Sequence, residues 1–159
     1  MNVFSIRRHQ QRIENVFART DGLPYDEEQL RSDLARYLCV LVAGFIEQSL
    51  QTIYGEYAKG SASPKIVRFL ERQLARSTNF SIENLLQLVS AFDNDWAEEI
   101  KTHRDFDRYK SAVDAVYANR NKIAHGVDVG ISYDLIREYC QAHRRGHPAM
   151  REIAVETAS

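Results

Sequence analysis

Residues 37–46 read Tyr-Leu-Cys-Val-Leu-Val-Ala-Gly-Phe-Ile, the longest apolar stretch of the chain. The stretch is about half as long as the ~20 apolar residues that a membrane-spanning helix needs. A helical pattern extends from it in both directions, from Asp26 to about Tyr57, which predicts one long helix. Because that helix is apolar nearly all round in its middle, we expect it to lie buried at the centre of a helical bundle.

Helical patterns also fill the rest of the chain. Short breaks separate segments whose apolar residues recur with a period near 3.6, and no segment alternates convincingly as a strand would. On the first segment, the residues predicted to share one side are Phe4, Ile13, Val16 and Phe17. The capping signals that predict helix ends are Asp26 with Gln29, Ser63 with Pro64, Ser81, Thr102 with Asp105, Gly126 and Ser132. We therefore predict an all-α fold, a compact bundle of about five to seven helices with an up-and-down core.

Composition and charge are those of an ordinary globular chain. The 159 residues are 44% hydrophobic and 27% charged, with a formal net charge of −1. We expect one domain over residues 1–147 and a tail, residues 148–159, that is a short helix or disordered. The charge balance excludes a global basic field, so any polyanion must bind to a local patch. The N-terminal residues lack the apolar core of a signal peptide, and Cys39 and Cys140 are expected to be free thiols; both features predict a soluble cytoplasmic protein.

The segment from Ala118 to Gly126 reads Ala-Asn-Arg-Asn-Lys-Ile-Ala-His-Gly and ends a helical pattern. Upstream, apolar residues spaced three, four and three apart form a seam whose continuation reaches Arg120 and then Ile123. Arg120 is thereby predicted to lie in the core or at an interface, where a guanidinium needs an anionic partner. Glu47 directly follows the apolar stretch and needs a partner too. Pairing of Glu47 with Arg120, or with Asn121 or His125, is the simplest solution; alternatively, Glu47 faces solvent at the edge of the bundle.

Arg120 and His125 carry the chemistry of this segment. An arginine binds a phosphate with a bidentate fork, and a histidine transfers protons near neutral pH, so the two suffice in principle to cleave RNA without a metal. On an ideal helix they point about 140° apart, whereas Asn121 and Tyr117 share the stripe of His125. They converge only if the arginine side chain reaches round or the last turn is distorted, and a helix end at Gly126 favours distortion. Alternatively, the two cationic groups simply complement the helix dipole.

The residues Arg120 to Gly126 resemble the R-N-x-x-x-H signature of the HEPN superfamily, whose members are compact helical bundles. The stretch from Gly44 to Leu50 resembles its RiboL-PSP branch, in which an acidic residue on an early helix, here Glu47, faces the motif. The resemblance implies a metal-independent endoribonuclease that acts as a homodimer in a toxin–antitoxin, abortive-infection or other defence system. Val127 departs from the HEPN toxins that are silenced by nucleotidyl transfer, which carry a tyrosine at that position, so the departure argues against this mode of control.

A homodimer also fits the chemistry, because attack by a ribose 2′-OH needs one group to take a proton and another to give one. His125 is predicted to be the general base or acid, with its twin in the opposite role. Arg120 is predicted to stabilise the charge on phosphorus, and Asn121 to orient His125 or bind RNA. The predicted product carries a 2′,3′-cyclic phosphate.

Further RNA contacts are predicted at Lys122 and Tyr117 and along a basic stripe. The stripe consists of Lys65, Arg68, Arg72 and Arg76, spaced three, four and four residues apart. The alternative for the stripe is a solvated face of the bundle. The expected partners are RNA, a second copy of the chain, and an antitoxin or other regulatory protein.

No metal and no cofactor is predicted. Cys140, His143 and His147 have spacings that invite a zinc site, but a structural site needs four ligands and no second cluster is evident. Arg144 and Arg145 between them also oppose a cation.

Two other functions remain open from the sequence. One is a non-catalytic HEPN-like helical module that binds RNA, a nucleotide or a partner protein, with Arg120 in a structural ion pair. The other is a regulatory subunit whose function requires the product of an adjacent gene.

Overall fold

A computed structural model of the chain describes residues 3–24, 26–76 and 81–146. Within these ranges the chain forms seven helices and no strand, so the prediction of an all-α bundle is confirmed. The helices are α1 (Val3–Asp21), α2 (Glu28–Ser61), α3 (Pro64–Arg76), α4 (Ile82–Phe92), α5 (Asn94–Thr102), α6 (Phe106–Ala124) and α7 (Tyr133–Gly146). The predicted tail, residues 148–159, lies outside the described residues.

Helix α2 forms the centre of the bundle and packs against α1, α3, α6 and α7. It is long and apolar enough to cross a membrane, but 67% of its most apolar 18-residue stretch is buried inside the fold. Leu38, Cys39 and Val42 are fully buried, and burial raises the pKa of the Cys39 thiol to about 12. This is the environment expected for the core helix that the apolar stretch predicts.

The prediction for the inner side of α1 is correct at three positions and wrong at one. Ile13, Val16 and Phe17 are buried, whereas Phe4 is 65% exposed. The reason is geometric, since nine residues separate Phe4 from Ile13 and turn the helix by about half a revolution. Ile6 occupies the buried position instead and is only 1% exposed.

Several predicted helix ends are confirmed by their hydrogen bonds. The Ser81 hydroxyl accepts a hydrogen bond from the Asn84 amide at 3.3 Å, and the Ser132 hydroxyl accepts one from the Leu135 amide at 3.2 Å. Pro64 is the first residue of α3, where its missing N–H costs nothing. Local sequence therefore sets the start of three of the helices.

Two predicted capping boxes are wrong. Helix α2 begins at Glu28 rather than Asp26, and the Gln29 side chain donates to Asp33 at 3.2 Å instead of capping the helix. Thr102 ends α5 rather than opening α6, and its hydroxyl donates to the carbonyl of Glu98 at 2.7 Å. In both cases the side chain forms a hydrogen bond to a group one turn away within a helix instead of capping a helix end.

Candidate active site at the end of α6

The buried face of α6 leads to Arg120. Tyr109, Val113 and Val116 are each no more than 1% exposed and belong to the main core. Arg120 follows Val116 by one turn and is half-buried. The guanidinium therefore lies where the core meets the surface, at the C-terminal end of the helix.

Helix α6 ends in a Schellman turn that places His125 at the surface. Gly126 adopts a φ of 69°, a left-handed conformation that favours glycine, and its N–H donates to Ile123 O at 3.0 Å. The N–H of Val127 donates to Lys122 O at 2.9 Å, which completes the motif. This confirms Gly126 as the predicted stop. The His125 side chain is exposed, and within the described part of the chain its ring makes no hydrogen bond.

The Arg120 side chain bends toward the stripe that carries His125. Its Nη1 donates to the Oδ1 of Asn121 at 3.1 Å. Asn121 lies one turn before His125 on the same face of α6. The bond to Asn121 therefore brings the Arg120 guanidinium toward the face of His125, although the two residues point in different directions on an ideal helix. Asn121 holds Arg120 and not the imidazole, so its predicted role in orienting His125 is not observed.

Glu47 approaches the same site from α2. Its Oε1 is buried and has no hydrogen-bond partner among the residues that the structure describes, and this burial raises the pKa of the Glu47 carboxyl. The nearby positive charge of Arg120 and the hydroxyl of Tyr117 both act in the opposite direction and lower that pKa. Among the described residues there is no direct ion pair between Glu47 and Arg120, so their charges interact at longer range. This arrangement favours the predicted proximity of Glu47 and Arg120 over the alternative in which the Glu47 carboxylate is fully solvated.

Tyr117 lies beneath this site and not at its surface. It is 3% exposed, and its hydroxyl donates to Ala43 O at 3.3 Å as well as interacting with the Glu47 carboxylate. Burial raises the pKa of the Tyr117 hydroxyl far above its ordinary value, which keeps the group protonated as a donor. The predicted contact of Tyr117 with RNA is therefore wrong. Tyr117 supports Glu47 from the core.

Arg36, which the sequence analysis did not single out, fixes the segment that follows His125. Its guanidinium donates to Asp128 Oδ1 at 2.5 Å and to Val129 O at 3.4 Å, linking α2 to this segment. Val129 and Ile131 are buried on either side of Gly130. A sequence signal was present, because valine and isoleucine two residues apart in a glycine-containing loop indicate a loop that packs on the core.

The remaining predicted RNA contacts lie in two places. Lys122 is exposed on the last turn of α6, within the candidate site. Lys65, Arg68 and Arg72 are exposed on α3, a helix that packs against α2. The side chain of Arg76 lies outside the described part of the structure.

Metal-ligating groups do not cluster in the described residues. Cys140 is buried, while the side chain of His143 and the whole of His147 lie outside the described part. The candidate site itself offers Arg120, Asn121, Lys122 and His125, which are donors suited to an anion and not a set of metal ligands.

Comparison with known proteins gives a family match. The family model described as RiboL-PSP-HEPN matches residues 7–142, a range that includes Glu47 and the whole segment from Arg120 to Gly126. No curated protein and no solved structure gives a significant match to the chain.

Proposed function

The chain belongs to the RiboL-PSP-HEPN family, and from this premise we propose that it is a metal-independent endoribonuclease. One observation carries the proposal: the Arg120 guanidinium turns, through its bond to Asn121, toward the helix face that ends in the exposed His125. A phosphate bound at the end of α6 would contact a fixed positive charge and a proton-transferring ring at once.

The proposed reaction is an internal transfer at phosphorus. One imidazole takes the proton from the ribose 2′-OH, and the 2′-oxygen bonds to phosphorus as the bond from phosphorus to the 5′-oxygen breaks. A second acid gives a proton to the departing 5′-oxygen. The products are a 2′,3′-cyclic phosphate on one fragment and a 5′-hydroxyl on the other. Arg120 stabilises the added negative charge on the phosphoryl oxygens, which grows in the transition state.

The need for two proton-transferring groups supports a homodimer. The motif supplies one histidine per chain, and a two-fold axis near the end of α6 would bring a second His125 to the same phosphate. The exposed face around the motif contains apolar area for such a contact, since Val127 is 52% exposed and Val40 is 42% exposed. Val40 lies one helical turn from Arg36, which holds Asp128 next to Val127.

We assign Glu47 a positioning role. Its negative charge lies close enough to Arg120 to interact with it, yet in the described part of the chain the two form no ion pair that would occupy the guanidinium donors. The remaining Arg120 donors are then available to a phosphate. The Asn121 amide group is likewise available for an RNA oxygen.

A chelator-treated cleavage assay with end-group analysis tests the proposed activity. Wild-type protein in excess EDTA should cut single-stranded RNA and leave 2′,3′-cyclic phosphate and 5′-hydroxyl ends. Absence of cleavage under every chelator condition, with cleavage restored by a divalent cation, would falsify the metal-independent mechanism.

One observation favours a second function, a non-catalytic module that binds RNA, a nucleotide or a partner protein. The charge interaction of Arg120 with Glu47 accounts for a half-buried arginine without any catalysis. In that case wild-type protein has no nuclease activity, and Arg120→Ala is strongly destabilised. A melting curve of Arg120→Ala beside the cleavage assay separates the two functions.

The proposed setting is the cytoplasm, in a toxin–antitoxin or anti-phage defence system. Support for it comes from the family alone. An adjacent gene whose product suppresses the toxicity of this chain on co-expression would be the expected antitoxin, and lack of toxicity from the active protein would contradict the setting.

A further inference from the structure

The outer face of α3 carries positive charge that nothing in the described structure neutralises. Lys65, Arg68 and Arg72 are all exposed, and none forms an ion pair with a described residue. The carboxylate of the neighbouring acid, Glu71, lies 3.8 Å from Nζ of Lys59 on α2, which also binds Glu56 at 3.0 Å, and is not within ion-pair distance of the three exposed cations. Three unpaired cations within two turns of one helix attract an anionic partner.

Two large apolar side chains stand beside these cations. Phe69 is 62% exposed and Ile66 is 58% exposed, although α3 already has apolar residues for packing. Val67 and Leu74 fill that role and are 8% and 1% exposed. Phe69 lies one turn from Lys65 and directly follows Arg68, so its ring borders the charged stripe. The exposed ring is therefore additional to what the fold needs.

Helix α3 also leads toward the site at the end of α6. The carbonyl of Leu74, near its C-terminal end, accepts a hydrogen bond from Gln51 at 3.4 Å. Gln51 lies four residues, about 6 Å, along α2 from Glu47. A strand bound along α3 from Lys65 toward Arg72 would therefore approach the region of Glu47 and Arg120.

We propose that α3 is a binding surface for single-stranded RNA, on which Phe69 stacks against a base while Lys65, Arg68 and Arg72 bind the phosphates. This inference rests on the proposed function, since the RNA is the substrate that α3 would guide to Arg120 and His125. Alternating phosphates and flat bases match a stripe of cations bordered by an aromatic ring.

Other occupants fit this face less well. A helix that lies on a membrane needs a wide apolar face, whereas Ile66 and Phe69 are the only large apolar side chains exposed among the described residues of α3. A two-fold contact through α3 would place identical cations of two copies against each other. An RNA strand has neither difficulty.

The proposal is tested by measuring the binding of a fluorescent oligouridine RNA in EDTA. The protein used carries His125→Ala, so that cleavage does not interfere with the binding measurement. Adding Phe69→Ala should weaken binding roughly tenfold, the usual effect of removing one stacking ring. Phe4→Ala is the matched control, because Phe4 is equally exposed, at 65%, on α1. Arg68→Gln should reduce the dependence of log K on log salt by about 0.7, one phosphate contact on a single strand, while Phe69→Ala should not change that slope.

Circular dichroism melting curves check that the variants fold, as their exposed positions predict. Equal RNA affinity of the Phe69→Ala and Phe4→Ala proteins would overturn the proposal for α3, and the endoribonuclease would stand if the wild type still cleaves. Phe69-dependent binding, together with a wild-type protein that does not cleave RNA, supports α3 as an RNA surface and contradicts the catalytic function instead. If vesicles of anionic lipid bind through Phe69 and RNA does not, the surface belongs to a membrane and the inference is wrong.

Discussion

Glu47 places a carboxylate in an environment that favours its neutral form. Burial is the largest influence and outweighs Arg120 and Tyr117, so the pKa of the folded protein lies above the ordinary value of 4.5. A raised carboxyl pKa means that the folded state binds more protons than the unfolded state. The contribution of Glu47 to stability is therefore fully present below pH 4.5 and is lost as pH rises through its folded-state pKa.

We predict that Glu47→Gln is more stable than the wild type at pH 7 but cleaves RNA more slowly. The amide removes the buried charge, so the stability gain should disappear as pH falls toward 4.5, while the lost charge no longer positions Arg120. Melting temperatures across pH 4–8 measure the first effect and RNA cleavage rates the second. The control is Glu83→Gln, at an exposed position on α4. A destabilised Glu47→Gln at pH 7 would show that the charge interaction outweighs burial.

Gly126 carries the only left-handed backbone among the described residues. Gly126→Ala should lose about 1–2 kcal/mol of stability, because a side chain with Cβ is strained at this φ. Gly60, a helical glycine in α2 with open space at its Cβ position, provides the comparison, and Gly60→Ala should be neutral or slightly stabilising. Thermal unfolding measures both variants. Similar melting temperatures for the two would mean that the turn after His125 tolerates other conformations.

Sequence reasoning at this scale predicted positions better than side-chain contacts. The apolar seam of α6 predicted that Arg120 would lie in the core or at an interface, and the residue is half-buried. The position of Glu47 after an apolar run predicted its need for a partner. The burial of Tyr117 was missed because the buried stripe of α6 is wider than the seam and includes the residue beside Val116. The bond between Arg120 and Asn121 depends on side-chain torsions that residue spacing does not determine.

At the scale of the elements, the end of α6 depends on the segment that follows it. Arg36 of α2 holds Asp128 and Val129, and the buried Val129 and Ile131 anchor the same segment. Asp128 is highly exposed, with 87% of its side chain accessible, so the ion pair itself adds little stability. Its contribution is to restrict where His125 and Gly126 can move.

We predict that Arg36→Ala lowers RNA cleavage while costing less than about 1 kcal/mol of stability. Hydrogen exchange should speed up in residues 127–130 of the variant. Arg108→Ala is the matched control, since Arg108 also forms an exposed ion pair, to Glu138 of α7 at 3.0 Å, but does not contact the segment after His125. Equal activity of the two variants would exclude this positioning role for Arg36.

The elements that sequence predicted poorly are those with weak or competing local signals. Helix α5 is only nine residues long, and its start depends on Asp93, whose carboxylate accepts hydrogen bonds from Asp95 and Trp96. The sequence does not separate α5 from α4, because the apolar residues of α5, Trp96 and Ile100, fit an extension of the apolar pattern of α4. By contrast, α2 was predictable, because a long helix that is apolar on nearly all sides is stable only when it is buried among other helices or in a membrane.

At the scale of the whole molecule, the proposed reaction requires more than one chain. A monomer presents one exposed His125, and two proton transfers need two groups. The relation between two copies is not encoded in any local pattern, since a two-fold interface depends on the shape of a complete surface. The fold could therefore be predicted from sequence, while the assembly remains a prediction.

We predict that Val127→Glu converts a dimer to a monomer and abolishes cleavage together. Val127 is 52% exposed beside His125, and a charge there would meet its symmetry mate across a two-fold interface. Light scattering measures the mass, and Phe4→Glu, at an exposed position on α1, should leave both mass and activity unchanged. A wild-type protein that is monomeric and fully active would refute the two-histidine mechanism.

The most direct test of the central claim is the rate of RNA cleavage in chelator by His125→Ala and Arg120→Ala proteins shown to be folded. Each should cleave at least about 100-fold more slowly than the wild type, because each loses a group that acts on the phosphate. The control Arg104→Ala, which removes an exposed arginine before α6, should cleave at the wild-type rate. Wild-type rates in both folded site variants would show that the end of α6 is not the active site.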